Sequence, residues 1–211
     1  MALNKDGIAE AGLRLLNQVG LDDLTLQLIA RELNVKAPSL YWYINSKHEL
    51  LDEMATRMLR EAAGNLPAPT GDWEEWLSTI AWTIRRTLLR YRDGARVYAG
   101  TCFTDPSLPD QRMFQPLLDA GFDPRRIARA WFTLFAFIIG FTIEEQGIFP
   151  EPGHLDMRYA QTGAREALVS EAFRAVIAEW VPANDMDARF ADGLAIVLGG
   201  TRSYLTPTAG I

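Results

Sequence analysis

Hydrophobic residues recur at helical spacing along almost the whole chain, with apolar side chains three or four positions apart and polar ones between them. The first such segment begins near Lys5, passes through Leu16 and Val19, and ends at Gly20. The same spacing predicts further helices over residues 25–33, 37–43, 46–63, 72–88, 93–99, 111–120, 125–146, 164–180 and 187–204. No segment shows the alternation of a β-strand, so the predicted fold class is all-α.

Residues that favour helix starts stand at several of these boundaries. Thr25 is a predicted N-cap, and Pro38 lies in a first turn, where its missing N–H group costs nothing. Ser46 and Glu49 have the spacing of a capping box. The clearest break in the pattern is GNLPAPTG at 64–71. It predicts a three-helix head, a connecting helix and a larger helical domain, over residues 1–47, 48–66 and 67–211.

Composition favours an intracellular globular protein. The chain has 211 residues, and 48% of them are hydrophobic, which is enough for a sizeable core. Cys102 is the single cysteine, so no internal disulfide can form and a cytoplasmic location is expected. The N-terminal residues lack the apolar run of a secretory signal. The charge-free run at 130–143 is short of the roughly 20 residues that a membrane helix needs, so we expect a buried helix and no membrane span.

Charge argues against a wide basic surface for nucleic acid. The net charge is −6 and the isoelectric point is about 5.0. Within residues 1–47 the basic and acidic residues balance. The basic ones are Lys5, Arg14, Arg31, Lys36 and Lys47, and the acidic ones are Asp6, Glu10, Asp22, Asp23 and Glu32. A neutral head can still read DNA through a few phosphate contacts, with modest non-specific affinity.

The segment from residue 24 to 51 combines two short helices, a tight turn at Asn34 and an exposed polar and aromatic face. This arrangement is typical of a helix-turn-helix whose second helix enters a DNA major groove. Gln27 suits an adenine edge, and Lys47, at the start of the next helix, suits a phosphate. The predicted DNA-contacting residues are Gln27, Lys36, Ala37, Ser39, Tyr41, Trp42, Tyr43 and Lys47. The alternative is that the three aromatic residues only fill the core of the head.

Three segments resemble the TetR family of bacterial repressors, and in particular its tetracycline-repressor subgroup. They are the head from residue 3 to 51, RRTLLRYRDGARVYAGT at 85–101 and GFTIEEQ at 140–146. The resemblance implies a homodimer that places the third helix of each subunit in the major groove of one half of a palindromic operator. It also implies a C-terminal domain that binds a small molecule and then releases the DNA.

Two positions in the head depart from that subgroup. Gln27 stands where the resemblance implies a guanine-reading arginine, and Ala37 stands where it implies a glutamine. Glutamine pairs bidentately with adenine, not guanine. We therefore predict an operator that differs from the tetracycline operator and has A·T pairs opposite Gln27.

The C-terminal part holds more aromatic side chains than dimerisation alone requires, with a few polar groups among them. Such a composition is typical of a pocket for a drug-sized ligand. The predicted ligand-binding residues are Trp82, Arg85, Tyr98, Thr101, Phe114, Trp131, Phe135 and Glu144. The alternative is that most of these rings are core.

The chemistry of the expected ligand follows from departures in this region. Tyr98 stands where the resemblance implies a magnesium-ligating histidine, and Ala63, Ile80 and Ile84 stand where it implies polar drug contacts. A phenol, whose pKa is about 10, is a poor Mg²⁺ ligand near neutral pH. We therefore expect a largely apolar aromatic effector, not magnesium–tetracycline, and neither a metal nor a cofactor held by the chain.

Two helices carry the predicted dimer interface, at 125–146 and 187–204. The first is apolar nearly all round, and the second has small residues that allow close approach, Gly193 and Gly199 among them. One large monomeric core is the alternative. The Gly- and Pro-rich segment at 147–163 is a candidate lid over the pocket of its own or the partner subunit.

Catalytic motifs do not occur in the sequence. His48 and His154 lie far apart, and Cys102 has no neighbouring His or Asp to activate it. We therefore expect a ligand-responsive regulator and not an enzyme. The alternative is a constitutive dimeric DNA-binding protein without an effector. A large enclosed aromatic cavity favours the first, and a filled core favours the second.

Overall fold

The computed structural model describes residues 3–69, 71–150, 154–160, 170–180 and 185–205. These residues form α-helices, one short 3₁₀ turn and no β-strand, as the hydrophobic pattern predicts. The helices are α1 Lys5–Asp23, α2 Leu26–Glu32, α3 Ala37–Leu40, α4 Lys47–Gly64, α5 Trp73–Leu89, α6 Gly94–Tyr98, α7 Gln115–Asp119, α8 Pro124–Ile148, α9 Met157–Ala160, α10 Glu171–Trp180 and α11 Met186–Leu205. The all-α fold class is confirmed.

Helices α1 to α3 form the head, and local sequence explains their ends. The Asn4 side chain accepts a hydrogen bond from the Gly7 N–H, and the Thr25 hydroxyl accepts one from the Leu28 N–H, so both residues are N-caps. Gly20 kinks α1 at a φ of 78° but does not end it, because the helix resumes and runs to Asp23. Glycine adopts such a φ at little cost.

The turn between α2 and α3 contains Asn34, whose φ of 53° lies in the left-handed region. Asparagine tolerates this region, and the Val35 N–H closes the turn on the Ala30 carbonyl at 2.9 Å. Helix α3 is shorter than the predicted 37–43, because the chain turns after Leu40 and places Ile44 in the core.

Helix α4 begins at a variant of the predicted capping box. The Ser46 hydroxyl accepts from the Glu49 N–H at 3.1 Å, while the Glu49 carboxylate accepts from the Asn45 N–H at 2.8 Å. This backbone bond, and then the bond from Lys5, lowers the Glu49 pKa to about 2. Helix α4 packs against α1 on one side and against α5 and α6 on the other, so it joins the head to the rest of the molecule.

The larger part is built around α5, α8 and α11, which pack against one another, and α6 packs against α4, α5 and α8. Asp72 caps α5, accepting from the Glu74 and Glu75 N–H groups. The predicted helix over 111–120 is wrong as a single element, since a 3₁₀ turn precedes α7 there. Pro116 has no N–H group for a helical bond to the Arg112 carbonyl, which instead accepts from the Trp76 indole at 3.0 Å.

Helix α8 is longer than the predicted 125–146. Asp123 caps it, Pro124 occupies its first turn, and it spans 25 residues to Ile148. Among the described residues it is the one helix long and apolar enough to cross a membrane. Core helices pass the same test, and α8 packs against three neighbouring helices, so this is weak evidence for a span. The candidate lid at 147–163 lies partly within the described residues, which include α9 but not residues 151–153 and 161–163. Of the predicted helix 164–180, residues 164–169 lie outside the described residues.

Candidate functional site

The exposed surface of the head is made by the turn after α3. The Trp42 side chain is 88% exposed, and Tyr41 and Tyr43 are 48% and 37% exposed. Gln27 and Lys36 are also exposed, while Ala37 and Ser39 are partly buried on α3. The structure thus brings these predicted DNA-contacting residues to one short segment and its preceding helix.

The core of the head keeps these aromatic rings outside. Leu24, Ile29, Leu40 and Ile44 are fully buried, so α2 and α3 share an aliphatic core. The three aromatic side chains lie outside this core as neighbouring exposed residues. The interpretation of the three aromatic residues as core therefore does not fit, most clearly for Trp42.

Lys47 lies beside the last turn of α1, which follows the kink at Gly20. Its ammonium group donates to the Leu21 carbonyl at 2.8 Å, and the side chain is exposed. The Leu21 N–H donates to the Asp93 carboxylate at 2.9 Å, and Asp22 pairs with Arg96 at 2.9 Å. This turn is thus held from both the start of α4 and the start of α6.

Five aromatic side chains form one contact group, here named the Tyr98 cluster. Tyr98 contacts the rings of Phe103 and Phe135, with both centroid distances 5.4 Å. Phe135 stacks on Trp131, which meets Phe114 edge-on at 4.9 Å. Tyr98 is only 2% exposed, whereas the other four rings are partly exposed. The cluster is therefore an aromatic surface with a buried phenol beneath it.

The Tyr98 hydroxyl is buried and has no hydrogen-bond partner among the described residues. Burial raises the pKa of this phenol, so the group is neutral and carries its proton near pH 7. Thr101 lies nearby but its hydroxyl already donates to the Tyr98 carbonyl at 2.8 Å. A buried polar group without a partner is uncommon in folded proteins and calls for an explanation.

A second contact group, here named the Phe190 cluster, joins α5, α8 and α11. The fully buried Phe190 contacts Trp82, Phe137 and Phe141 at centroid distances between 4.8 and 5.3 Å. The Arg85 guanidinium lies over three of these rings, with the shortest distance, 4.9 Å, to Phe190. These contacts pack α11 against α5 and α8.

Every nitrogen of the Arg85 guanidinium is engaged within this second cluster. Two of them donate to both oxygens of Glu145 at 2.7 and 2.8 Å, and the third donates to Asp187 at 2.7 Å. Arg85 is only 2% exposed, and bidentate pairing of this kind satisfies a buried guanidinium. Arg85 is therefore occupied and does not offer a free donor to a ligand.

The eight predicted ligand-binding residues do not converge on one site. Tyr98, Phe114, Trp131 and Phe135 share the Tyr98 cluster, with Thr101 next to it. Trp82 and Arg85 belong to the Phe190 cluster, and Glu144 is exposed on α8. Phe103, which is not among the eight predicted residues, also belongs to the Tyr98 cluster.

Helix α6 connects the Tyr98 cluster to the head. Tyr98 is its last residue, and Asp93, which precedes it, has a φ of 56° and accepts from the Leu21 N–H. Gln146 holds the same helix against α8, because its side chain accepts from the Ala95 N–H and donates to the Tyr91 carbonyl. The link from Asp93 to Leu21 spans 72 residues, so no local pattern could reveal it.

Comparison with known proteins assigns the two parts. The model of the bacterial regulatory proteins of the tetR family matches residues 8–54, and the model of the tetracyclin repressor-like C-terminal domain matches residues 66–205. The chain belongs to the TetR family. It is a DNA-binding transcriptional repressor by that membership, and the family's regulators are not enzymes.

Relatives in the TetR family cover nearly the whole chain. The class G tetracycline repressor of Vibrio anguillarum is 34% identical over 200 residues, which are 94% of this chain and 93% of that protein. The class A repressor from transposon 1721 of Escherichia coli is 35% identical over 200 residues, which are 94% and 90% of the two chains. The resemblance to the tetracycline-repressor subgroup is therefore confirmed.

Solved structures of TetR-family proteins have the same fold. A possible TetR-family regulator from Streptomyces coelicolor A3(2) has a TM-score of 0.77 and 33% identity, covering 95% of this chain and 99% of that one. A TetR variant from Acinetobacter baumannii AYE, in complex with minocycline, has a TM-score of 0.77 and 32% identity, covering 99% and 98%.

One side of α8 and α11 presents apolar residues to solvent. Phe132 is 73% exposed and Ile196 is 77% exposed. An open groove of about 520 Å³ runs between the two helices, lined by Thr133 and Gly200 among others. Gly193 faces inward instead, since a Cβ there would come within 2.7 Å of the Phe137 ring.

Proposed function

We propose that this TetR-family protein is a homodimeric repressor that binds a palindromic operator and leaves it when a largely apolar aromatic molecule, not magnesium–tetracycline, occupies the C-terminal domain. The observation that carries the proposal is the placement of α6. At the start of this short helix, Asp93 accepts a hydrogen bond from Leu21 in the last turn of α1, and at its end Tyr98 lies in an aromatic cluster.

The exposed face around α3 supports the proposed DNA contacts. Gln27, Lys36, Ala37, Ser39, Tyr41, Trp42, Tyr43 and Lys47 remain the candidate contact residues. In the free protein Lys47 donates to the Leu21 carbonyl, and a phosphate offers its ammonium group a charged acceptor instead. We infer that operator binding draws Lys47 toward the backbone of the DNA.

Selection from a random DNA pool tests the reading head. We expect a palindrome with A·T pairs opposite Gln27, because a glutamine amide matches the adenine edge. Gln27→Arg should move the preference at that position to G·C. Recovery of the tetracycline operator as the best site for the unaltered protein would contradict the proposal.

The Tyr98 cluster is the proposed effector site. A neutral, buried phenol is a poor ligand for Mg²⁺, which prefers carboxylates, phosphates and water. Four partly exposed rings offer an aromatic effector stacking and edge contacts. Calorimetric titration with magnesium–tetracycline should give no sub-micromolar binding, and a sub-micromolar Kd would contradict this assignment.

The apolar side of α8 and α11 is the proposed dimer interface. Two such pairs of helices form a four-helix bundle around a two-fold axis, and this would cover Phe132 and Ile196. Ile196→Glu should shift the protein to monomers in sedimentation at micromolar concentration. Leu118→Glu, at an exposed position on α7, is the matched control and should leave the dimer intact.

Helix α6 is the proposed route from effector to operator. A ligand that displaces Tyr98 moves α6. The head follows, because Asp93 is bonded to Leu21 and Arg96 is paired with Asp22. Because two heads must match two half-sites one helical turn apart, a small change in head orientation weakens the dimer on its operator. Asp93→Asn should therefore reduce the effect of an effector on operator affinity more than it changes effector affinity.

A constitutive DNA-binding protein is the second candidate, and one observation favours it. The rings of the Tyr98 cluster are in contact with one another. None of them lines the groove between α8 and α11 or the groove of about 650 Å³ beside α1 and α4. A thermal-shift screen of aromatic compounds, followed by operator titration, separates the two candidates, because only a sensor couples ligand binding to DNA release.

A further inference from the structure

One buried polar group of the Tyr98 cluster has no hydrogen-bond partner among the described residues. The Thr101 hydroxyl donates to a backbone carbonyl, and Arg85 is bound within the Phe190 cluster. Among the buried side-chain polar atoms in the described part of the chain, the Tyr98 hydroxyl is the one without a partner. A ligand seated on these rings can therefore form its hydrogen bond with this phenol.

The cations nearest to the cluster in sequence are engaged elsewhere. Arg96 pairs with Asp22 and Asp93, and Arg112 pairs with Asp110 at 2.6 Å. Arg129 lines the groove between α8 and α11. A ligand anion placed on the rings would lose part of its hydration, and Arg96 or Arg112 would have to leave its carboxylate partner to pair with it.

We propose that the effector is a neutral, planar aromatic molecule with a hydrogen-bond acceptor, such as a ring carbonyl, that accepts a hydrogen bond from the Tyr98 phenol. This inference rests on the proposed function, since it takes the Tyr98 cluster as the effector site. The acceptor satisfies the buried hydroxyl that has no partner, and the aromatic rings contact the rest of the ligand surface. Access to this hydroxyl requires the partly exposed Phe103 and Phe114 to move aside.

Three rigid probes of nearly equal shape test the inference. Fluorene has no acceptor, 9-fluorenone adds one carbonyl, and 9-fluorenone-2-carboxylate adds a negative charge. Calorimetry on the full-length protein should show 9-fluorenone binding about tenfold tighter than fluorene, because one net hydrogen bond is worth roughly that ratio. It should also bind tighter than the carboxylate, because that probe brings a charge to the rings. The carbonyl stretching frequency of bound 9-fluorenone should fall, as it does when a carbonyl accepts a hydrogen bond.

Two tyrosine variants serve as a matched pair. Tyr98→Phe should weaken 9-fluorenone about tenfold, leave fluorene unchanged and restore the carbonyl frequency of the unbonded ketone. Tyr91→Phe is the control, since the Tyr91 hydroxyl donates to Glu61 at 2.7 Å and lies outside the cluster. It should leave all three affinities as they are.

Each outcome decides between the inference and the proposed function. Equal binding of fluorene and 9-fluorenone, an unshifted carbonyl frequency, tighter binding of the carboxylate, or no binding of any probe would overturn the inference. If 9-fluorenone binds as expected but operator affinity does not change, the inference stands and the proposed release of DNA fails.

Discussion

The two aromatic clusters use similar rings in opposite ways. In the Phe190 cluster the central ring is fully buried, and the one charged group among the rings, Arg85, has every nitrogen paired. In the Tyr98 cluster four of the five rings are partly exposed, and its buried polar group, the Tyr98 hydroxyl, has no partner within the described residues. The buried charge of the first cluster is paired, and the buried hydroxyl of the second is not.

This difference separates packing from binding better than composition does. A count of aromatic residues places Trp82 and Trp131 in the same category, yet the first packs on Phe190 and the second borders a free phenol. Completed hydrogen bonding is the property expected of a structural core, and an unpartnered donor is the property expected of a site for another molecule. Substitutions in the two clusters test that distinction.

The largest expected difference is in stability. Phe190→Ala removes a fully buried ring and should lower the free energy of unfolding by about 3–5 kcal/mol. Phe114→Ala removes a partly exposed ring of the Tyr98 cluster and should cost about 1–2 kcal/mol, because less area returns to water. Urea denaturation at one fixed protein concentration measures both. Equal losses would mean that the two clusters are equally part of the core.

The next largest effect concerns the Arg85 ion pair. Arg85→Met leaves the buried Glu145 carboxylate without its partner and should destabilise the fold by about 3 kcal/mol. The double variant R85M/E145M removes both charges and should recover most of that loss. The same denaturation series gives the coupling energy between the two positions. If the double variant is less stable than Arg85→Met alone, the pair is not the reason for the loss.

Tyr98→Phe should have a small effect on stability, of opposite sign. It deletes a buried hydroxyl that no described residue satisfies, so the free energy of unfolding should stay level or rise by about 1 kcal/mol. Tyr91→Phe breaks the bond to Glu61 and should lower it by about 1 kcal/mol. A clear loss of stability in Tyr98→Phe would mean that the phenol has a structural partner.

Alkaline pH gives the smallest effect. Burial raises the pKa of Tyr98 above its unfolded value, and burial together with the bond to Glu61 raises the pKa of Tyr91 to about 12. Both groups therefore contribute stability that is full below about pH 10 and is lost as the pH rises further. In the Phe190 cluster, bonds to Glu145 and Asp187 outweigh burial and raise the pKa of Arg85, which stays charged.

The urea midpoint between about pH 10 and pH 12 should thus fall less steeply in Tyr98→Phe than in the unaltered protein, since one titrating group is gone. Arg85→Met should leave the slope unchanged in the same interval, which makes it the control. Identical slopes for the unaltered protein and Tyr98→Phe would show that the phenol titrates normally and is not buried.

Local structure was largely predictable because it depends on neighbouring residues. The caps at Thr25, Ser46 and Asp72 each satisfy N–H groups two or three residues away, so their sequence pattern is enough. The helix predicted over 111–120 is divided because Pro116 lacks the N–H group that a continuous helix needs there. Gly20 does not end α1 as predicted, because one left-handed residue kinks the helix and the following residues resume it.

The composition of the site was less predictable because it depends on tertiary contacts. Arg85 is polar and near aromatic residues in sequence, which is typical of a ligand contact, but Glu145 and Asp187, far away in the chain, occupy its guanidinium. Phe103 joins the Tyr98 cluster from a loop whose position no periodicity reveals. The hold of α6 on the head depends likewise on pairs more than 70 residues apart.

Release of operator DNA by an occupant of the Tyr98 cluster is the most direct test. A fluorescently labelled operator from the random-pool selection is titrated with the protein, with and without 9-fluorenone at a concentration that calorimetry shows to be saturating. We expect the operator Kd to rise by about 5- to 150-fold, the usual range for coupled sites, and Tyr98→Phe to need about tenfold more 9-fluorenone for the same release. An operator Kd that does not change at full occupancy of the cluster would contradict the account.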